Sequence, residues 1–319
     1  ESYGIDNYDL LYEKIKLSSI NTIIIQFNYN FFDFSEFSKL IFRLTHDGIQ
    51  ISIFLHSTTD PKNNDKKLVN LVSTFKKCKR IFVHTISDLN NLKNIGLIEN
   101  VILFPHGVPE FNQNDYKQSF FDRSLSKTKS FKIATFGFCL PNKGFDELIK
   151  AIRILKDRNI RLSLNMYTSI YSNEYKYVFD DLQKLIKELA VEDIVNLHGD
   201  FFSDKDSLRL LSYSDLIVFP YQHSNESSSA AVRQALAVNK PVVVTPLDIF
   251  NDVSKFVDYF RGFSSNELAE DLCEIYVNQK QLTLSSETNY THEVIKKRRF
   301  SVLSTRLSSI IHSLIINDN

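Results

Sequence analysis

The sequence of 319 residues is 43% hydrophobic and 24% charged, which predicts a globular protein with two domains of ordinary size. Lysine plus arginine and aspartate plus glutamate both number 38, so the formal net charge of zero argues against bulk nucleic-acid binding. Three cysteines without metal-ligand spacing suit a reducing compartment, and no apolar run reaches the roughly 18 residues of a transmembrane helix.

These properties predict a cytoplasmic protein without a nucleic-acid partner. The sequence carries no secretory signal. It begins with Glu1 rather than methionine, which predicts either a processed chain or a piece of a longer protein. In the second case, other domains of that longer protein would be its partners.

Apolar strands alternate with helices in the first third of the chain. Predicted helices cover 1–20, 35–48, 66–78 and 88–94, and predicted strands cover 21–27, 49–56, 79–85 and 100–107. This alternation is typical of a parallel sheet, in which ligands gather beyond the carboxyl ends of the strands. Three of the four strands end in a histidine, at His56, His84 and His106. One such histidine is more often structural, but three at the same end predict a site.

A polar stretch without periodicity separates this part from a second α/β series. Predicted strands cover 131–138, 160–168, 193–199, 215–219 and 241–245, and predicted helices cover 145–159, 174–191, 203–214, 227–238, 264–278 and 291–315. We therefore predict a first domain at 1–115, a linker at 116–130, a second domain at 131–285 and a terminal helical segment at 286–319.

The segment 215–246 is predicted to form a strand, a loop, a helix and a second strand. The loop carries Glu226, and Ser227, Ser228 and Ser229 precede the helix, where a serine side chain can cap a free N–H group. A helix N-terminus that follows a buried strand is also a ready site for a phosphate. The alternative is an ordinary strand–helix–strand unit whose serines only cap the helix.

The loop after the predicted strand 131–138 adds a second part to this site. Lys143 stands directly before a helix, where its ammonium group can neutralise a diphosphate. Gly137, in the strand, lets the backbone come close to a ligand. The alternative for Lys143 is a solvated loop lysine.

These two segments resemble the donor-binding elements of retaining glycosyltransferases of the GT-B fold, family 4 in the usual classification. That family has an acidic residue, a second acidic residue after seven intervening positions, and a Pro-x-Lys-Gly element. Glu226 matches the first acid, and Pro141, Lys143 and Gly144 match the Pro-x-Lys-Gly element. The resemblance extends from Ile23 to the terminal helix and is stronger in the second half.

Three positions depart from the pattern of that family. Gln234 stands where the second acid is expected, Asn239 where glycine is usual, and Phe138 where an arginine would meet the diphosphate. Arg233, on the helix of the donor segment, is the predicted substitute for that arginine. The first domain is also short and has no glycine-rich loop, which leaves acceptor binding the most open question.

The resemblance implies an α/β protein of the GT-B fold, with two Rossmann-like parallel-sheet domains facing a cleft, a shortened first domain and a terminal helix packing back on it. It implies catalytic roles for Glu226, His56 and Lys143. The predicted donor-binding residues are Gly137, Lys143, Gly199, Phe201, Glu226, Ser227, Ser228, Ser229, Arg233 and Gln234, and the predicted acceptor-side residues are Gln26, Asn28, His84 and His106.

We expect neither a metal ion nor another cofactor. Asp204 and Asp206 form an Asp-x-Asp motif, but acidic residues at the start of a helix more often cap it and complement its dipole. The resemblance agrees with this interpretation, because GT-B enzymes usually need no metal for catalysis.

The expected activity is transfer of a sugar, with retention of configuration, from a UDP- or GDP-linked donor to a glycan or lipid-linked acceptor, in surface polysaccharide or glycoconjugate synthesis. One alternative is a non-catalytic glycosyltransferase-like module that binds sugars or other domains. A sugar-nucleotide epimerase is a third reading, which Glu226 fits poorly. The basic run 296–299 suggests peripheral contact with the inner face of a membrane, although such runs are more often solvated faces.

Overall fold

The computed structural model describes residues 8–62, 66–112, 130–278 and 293–316. The chain divides into two compact units. The first comprises the residues up to His106, the loop Asn225–Ser228 and the residues from Ile310 onward, and the second comprises Gly107–Ser224 and Ser229–Ser309. The predicted linker lies outside the described residues except for Ser130, as do residues 279–285 of the predicted second domain.

The first unit contains a parallel sheet of four strands in the order β1-β2-β3-β4. Its strands are β1 (Thr22–Phe27), β2 (Gln50–Leu55), β3 (Arg80–Val83) and β4 (Val101–Leu103), and its helices are α1 (Asp9–Leu17), α2 (Phe34–His46), α3 (Val72–Phe75) and α4 (Ile86–Asn94). The sheet confirms all four strands that the sequence predicts for this half. Because the pairing is parallel, the carboxyl ends of these strands share one edge.

Burial explains why the inner strands β2 and β3 are mostly apolar. β2 lies between β1 and β3, and each of its residues after Gln50 is buried. α2 is amphipathic and begins at Asp33, whose side chain accepts a hydrogen bond from the backbone N–H of Glu36 at 3.0 Å. The predicted helix 66–78 is shorter, because a 3₁₀ turn leads into a single α-helical turn rich in β-branched residues.

The second unit contains a parallel sheet of six strands in the order β10-β9-β8-β5-β6-β7. Its strands are β5 (Phe131–Phe138), β6 (Leu162–Ser169), β7 (Val195–His198), β8 (Leu216–Phe219), β9 (Val242–Val244) and β10 (Asp258–Tyr259). Its helices are α5 (Phe145–Asp157), α6 (Lys176–Glu188), α7 (Asp204–Ser212), α8 (Ala230–Ala237), α9 (Ser265–Val277) and the start of α10 (Phe300–Ile316). β10 is a two-residue edge strand that the sequence does not predict.

The direction of winding reverses at β5, which pairs with β6 on one side and with β8 on the other. The buried residues form two hydrophobic clusters. One cluster includes residues of α5, α6 and α9, and the other includes residues of α7 and α8. In a doubly wound sheet, ligands bind beyond the carboxyl ends of the strands at such a switch point. The loops that leave β5 and β8 are therefore the ones to inspect for a site.

The loops after β5 and β8 approach each other closely at Gly144. Gly144, the residue before α5, has a φ of +68°, and a Cβ atom placed there would lie 1.8 Å from the carbonyl oxygen of Pro220. Only glycine satisfies both conditions. Asn239 follows α8 with a φ of 54°, which confirms the left-handed conformation expected at that position.

The predicted terminal helix is interrupted: residues 293–297 are helical, the helix stops at Arg298 and Arg299, and α10 begins at Phe300. Arg299 instead forms an isolated parallel bridge with Val108, and the Arg298 side chain donates to the carbonyl oxygen of Asp252 at 2.9 Å. Arg298 and Arg299, which belong to the basic run 296–299, thus form contacts within the second unit. No helix in the described ranges is both long enough and apolar enough to cross a membrane.

We expect the Gly144→Ala substitution to destabilise the protein strongly. The left-handed conformation alone costs about 1–2 kcal/mol for a residue with a Cβ atom, and the collision with Pro220 adds to this cost. Gly48→Ala is the matched control, because Gly48 also has a positive φ but open space around it. Urea unfolding measures both variants, and equal losses of unfolding free energy would contradict the close approach at Gly144.

Candidate functional site

Four polar side chains form a row along the carboxyl edge of the first unit's sheet, one near the end of each strand. Nε2 of His56 lies 2.7 Å from the Gln26 side-chain amide, and Nδ1 of His56 lies 3.4 Å from Nε2 of His84. The ring centroids of His84 and His106 are 5.0 Å apart. The structure thus brings together the three strand-end histidines. Their predicted catalytic and acceptor-side roles stay predictions.

The hydrogen bonds of this row determine where its protons lie. Nδ1 of His84 donates to the carbonyl oxygen of Phe104, 3.0 Å away, because that oxygen can only accept. Nε2 of His56 donates to Oε1 of Gln26, because a carboxamide oxygen can also only accept. Gln26 thus fixes the tautomer of a neutral His56, whose lone pair lies at Nδ1.

Burial favours this neutral form. It lowers the pKa of His56 below the usual value for histidine, while the negative charge of Glu226 opposes the shift. Glu226 itself is exposed. The structure therefore brings two of the predicted catalytic residues close enough to interact electrostatically within the first unit.

Glu226 is held near His56 by backbone contacts of its own loop. The backbone N–H of Ser227 donates to the carbonyl oxygen of His56 at 3.3 Å, and the Ser57 hydroxyl donates to the carbonyl oxygen of Asn225 at 2.7 Å. This explains why the loop belongs to the first compact unit although its neighbours in sequence belong to the second. Sequence periodicity has no means of predicting such an exchange.

At the switch point of the second unit, the loops after β5 and β8 meet. A Cβ atom at Gly137 would lie 3.7 Å from Cβ of Ala231, in the first turn of α8, and 3.9 Å from the hydroxyl of Tyr221. Nζ of Lys143 lies 3.8 Å from the ring centroid of Tyr221, a cation–π geometry. The structure thus places Gly137 near the first turn of α8 and Lys143 against Tyr221, and the donor-binding roles of Gly137 and Lys143 stay predictions.

Only one of the three consecutive serines caps α8. The side chain of Ser229 accepts from the backbone N–H of Val232 at 3.3 Å, so the helix begins at Ala230 and not at 227. Ser228 is buried, and the hydroxyl of Ser227 donates to Asp88 in the first unit. The three residues therefore have three different environments, and their shared donor-binding role stays a prediction.

An aromatic cluster lies beyond β5, β6 and β7. The ring of Phe138 lies 5.1 Å from that of Tyr171 and 6.4 Å from that of Phe201, measured between centroids. Phe201 is 77% exposed. Gly199 packs tightly, since a Cβ atom there would lie 2.8 Å from the Phe179 ring. Where the family pattern has an arginine, this chain therefore presents an aromatic surface.

Arg233 does not fill the role that the sequence predicts. It is 1% exposed, and its guanidinium donates to the carboxylate of Asp252 and, at 2.6 Å, to the carbonyl oxygen of Ser229. Burial lowers its pKa to about 10, which still leaves it charged at neutral pH. The buried ion pair commits Arg233 to holding α8 in place, so it cannot replace the missing diphosphate arginine.

Two further predicted residues are engaged in local contacts. The amide of Gln234 donates to Asp204 at 3.2 Å, and the side chain of Asn28 accepts from the backbone N–H of Asn30 at 3.0 Å. Their donor and acceptor roles are not tested by these contacts. Ser203 caps α7, so Asp204 and Asp206 lie in the first turn of that helix, where acidic side chains complement its dipole.

Within the described ranges, no group of three or more His, Cys, Asp or Glu side chains is placed to hold a metal ion. Three residues near the carboxyl edges of the two sheets were not predicted from the sequence as site residues: Tyr171, Tyr221 and Asp88. The two tyrosines each follow the end of a central strand by two residues, and that position was the available signal. Asp88 reads only as the third residue of a helix.

Residues 117–276 match the family model described as glycosyl transferases group 1. Since this match spans half of the chain, the chain belongs to the group 1 glycosyl transferases. No curated protein matches the sequence.

Solved structures share the architecture over nearly the whole chain. A glycosyltransferase from Rickettsia africae has a TM-score of 0.77 at 15% identity, covering 99% of this chain and 83% of that one. HepE from Anabaena, solved with UDP and glucose, has a TM-score of 0.74 at 14% identity, with coverages of 97% and 84%. A UDP-forming trehalose-phosphate synthase from Burkholderia vietnamiensis has a TM-score of 0.77 at 10% identity, with coverages of 97% and 76%. These similarities confirm the predicted GT-B fold, whereas assignment to family 4 stays a prediction.

We expect Glu226→Gln to lower the pKa of His56 further, because the carboxylate is the group that opposes the effect of burial. NMR titration of the imidazole measures the shift. Glu99→Gln is the control, because Glu99 is exposed and precedes β4, at the opposite end of the sheet. An unchanged His56 pKa in Glu226→Gln would show that the loop is not held near His56 in solution.

The same shift predicts how stability depends on pH. Because the folded state lowers the pKa of His56, the unfolded chain binds more protons near pH 6.5. The contribution of His56 to stability is therefore lost as pH falls below that value. His56→Gln should flatten this part of the curve of unfolding free energy against pH, and an unaltered slope would contradict the neutral buried imidazole.

We expect Arg233→Met to lower the unfolding free energy by about 3–5 kcal/mol, because it leaves Asp252 buried without its main partner. Arg158→Met, which breaks an exposed ion pair with Glu270, should have a much smaller effect. Urea denaturation measures both. A stable Arg233→Met protein would return Arg233 to the list of ligand-binding candidates.

Proposed function

We propose that this protein transfers a sugar from a nucleotide-sugar donor to a glycan or lipid-linked acceptor, with retention of configuration. The observation that carries the proposal is the switch point of the second unit, where Gly137 lies near the first turn of α8 and Lys143 lies against Tyr221 in the loop after β8. Backbone N–H groups, a helix dipole and an ammonium group at one edge suit a diphosphate. Membership of the group 1 family supports the same activity.

Each residue has a role that its environment supports. As the bond to the departing nucleotide breaks, negative charge grows on the diphosphate, and Lys143 and the start of α8 stabilise it. The ring of Tyr221 holds the ammonium group of Lys143 in place. Glu226 is exposed and accepts hydrogen bonds from the hydroxyls of the donor sugar. His56 contacts the same sugar near the reacting carbon.

The aromatic cluster and the histidine row suit the remaining parts of the substrates. Phe138 and Phe201 offer exposed ring faces near the predicted nucleobase segment around Gly199. The row of Gln26, His84 and His106 presents hydrogen-bonding groups to an acceptor hydroxyl. Neither a metal ion nor another cofactor takes part in this proposal, because charge on the diphosphate is met by the chain itself.

A UDP-linked donor is favoured over a GDP-linked one. HepE was solved with UDP and glucose, and the Burkholderia synthase is described as UDP-forming. We place the reaction in surface polysaccharide or glycoconjugate synthesis in the cytoplasm. The exposed part of the basic run at 296–299 would allow peripheral contact with a membrane that holds a lipid-linked acceptor.

A non-catalytic sugar-binding module is the second candidate, and one observation favours it. Arg233 is committed to Asp252, so the cationic group expected beside Lys143 is not supplied from α8. Phe138 offers none in its place. A module of this kind would bind a sugar nucleotide, or another domain of a longer protein, without transferring the sugar.

The test is a transfer assay over UDP- and GDP-linked sugars, with the full chain and two substitutions. We expect Glu226→Ala to abolish transfer, and Lys143→Met to lower kcat/KM by about 100-fold, because charge stabilisation is lost. Glu99→Ala should leave transfer unchanged. Transfer by Glu226→Ala at the wild-type rate would overturn the site. Calorimetric binding of UDP without turnover of any donor would favour the non-catalytic module.

A further inference from the structure

We propose that Asp88 is a positioning residue, which holds the Glu226 loop in register with His56 by accepting a hydrogen bond from the hydroxyl of Ser227. The inference rests on the proposed function, because it assigns Asp88 a part in the same site. Asp88 lies in the first turn of α4 and is 2% exposed. Nothing in the sequence distinguishes it from an ordinary helix-capping residue.

The two carboxylate oxygens of Asp88 have separate tasks. Oδ2 accepts from the backbone N–H of Thr85 at 3.0 Å and from the Thr85 hydroxyl at 2.6 Å, which completes the capping box of α4. Oδ1 accepts from the hydroxyls of Thr58, at 2.7 Å, and of Ser227. Capping needs only the first oxygen, so the contacts of Oδ1 require a different explanation.

Oδ1 joins the two segments that carry the predicted catalytic residues. Thr58 follows His56 by two positions, and Ser227 directly follows Glu226. Both hydroxyls converge on one buried oxygen, which fixes the two segments relative to one another within the first unit. The hydroxyl of Thr58 is itself held by the side chain of Asn91, which donates to it at 3.0 Å. We call this arrangement of Thr58, Asp88 and Ser227 the clamp, and Asn91 supports it from the side of Thr58.

Chemistry favours a carboxylate for this task. Hydrogen bonds to an ionised acceptor are shorter and about twice as strong as neutral ones. A buried carboxylate also needs its donors, because each one lost leaves charge uncompensated in a medium of low polarity. Two further contacts join the loop to residues 56 and 57: the backbone N–H of Ser227 donates to the carbonyl oxygen of His56 at 3.3 Å, and the Ser57 hydroxyl donates to the carbonyl oxygen of Asn225. Asp88 is thus a buried anchor of the loop that carries the exposed Glu226.

The kinetic test uses Ser227→Ala and Asp88→Asn, alone and combined. A misplacement of about 1 Å can cost about 100-fold in rate, so we expect each single variant to lower kcat/KM by about 10- to 100-fold. If Ser227 acts through Asp88, the two losses will not multiply in the double variant. Losses that multiply would mean that Ser227 contacts the donor directly, and would overturn the proposal.

Thr85→Ala separates positioning from stability. It removes the capping hydroxyl bonded to Oδ2, while both hydroxyl contacts of Oδ1 remain. We expect lower stability against urea but a kcat/KM within about twofold of wild type, because the clamp is intact. A loss as large as that of Ser227→Ala would show that Asp88 only stabilises α4.

Hydrogen exchange provides a readout that does not depend on catalysis. The backbone N–H of Ser227 donates to the carbonyl oxygen of His56, and release of the loop exposes this group to solvent. Peptides spanning 222–230 should exchange faster in Ser227→Ala than in wild type or in Thr85→Ala. Unchanged exchange would overturn the positioning role. If wild type transfers no sugar but the exchange difference is present, the proposed function fails while the clamp stands.

Discussion

The pairing of β5 with both β6 and β8 is the constraint on which the rest of this structure depends. Because the winding reverses there, the loops that leave β5 and β8 lead to helices belonging to different hydrophobic clusters while remaining neighbours at the carboxyl edge. A Gly144 without a side chain lets the two loops touch. Because the two loops are neighbours, Lys143 from the first lies against Tyr221 from the second, and Gly137 lies near the first turn of α8.

The positions of the arginine residues in this chain differ from the pattern of the family 4 glycosyltransferases that it resembles. One guanidinium is used inside the second unit, where Arg233 and Asp252 hold α8 against the sheet. The position expected to carry another is occupied by Phe138, which joins an exposed aromatic cluster. The proposed anion site would thus depend on backbone dipoles and one ammonium group. Recognition of the rest of a donor would depend more on ring faces than on charge.

Local patterns in the sequence were sufficient to predict nine of the ten described strands, the parallel sheets and the gathering of histidines at one edge, because these follow from burial and from strand direction. These patterns did not predict contacts between segments that are distant in sequence. Arg233 read as a ligand-binding residue because its partner Asp252 lies beyond the next strand, and the loop at Asn225–Ser228 read as part of the second domain. Tertiary contacts between distant segments decided both cases, and spacing along the chain does not record them.

The absent side chain of Gly144 also limits how this protein can diverge. Since a Cβ atom at position 144 would lie 1.8 Å from the carbonyl oxygen of Pro220, a substitution there forces the loop after β5 or the loop after β8 to shift. Exposed positions such as Phe138 and Phe201 lack this constraint, and substitutions there change ring contacts within the aromatic cluster. Sequence change is therefore easier to accommodate in the aromatic cluster than at position 144.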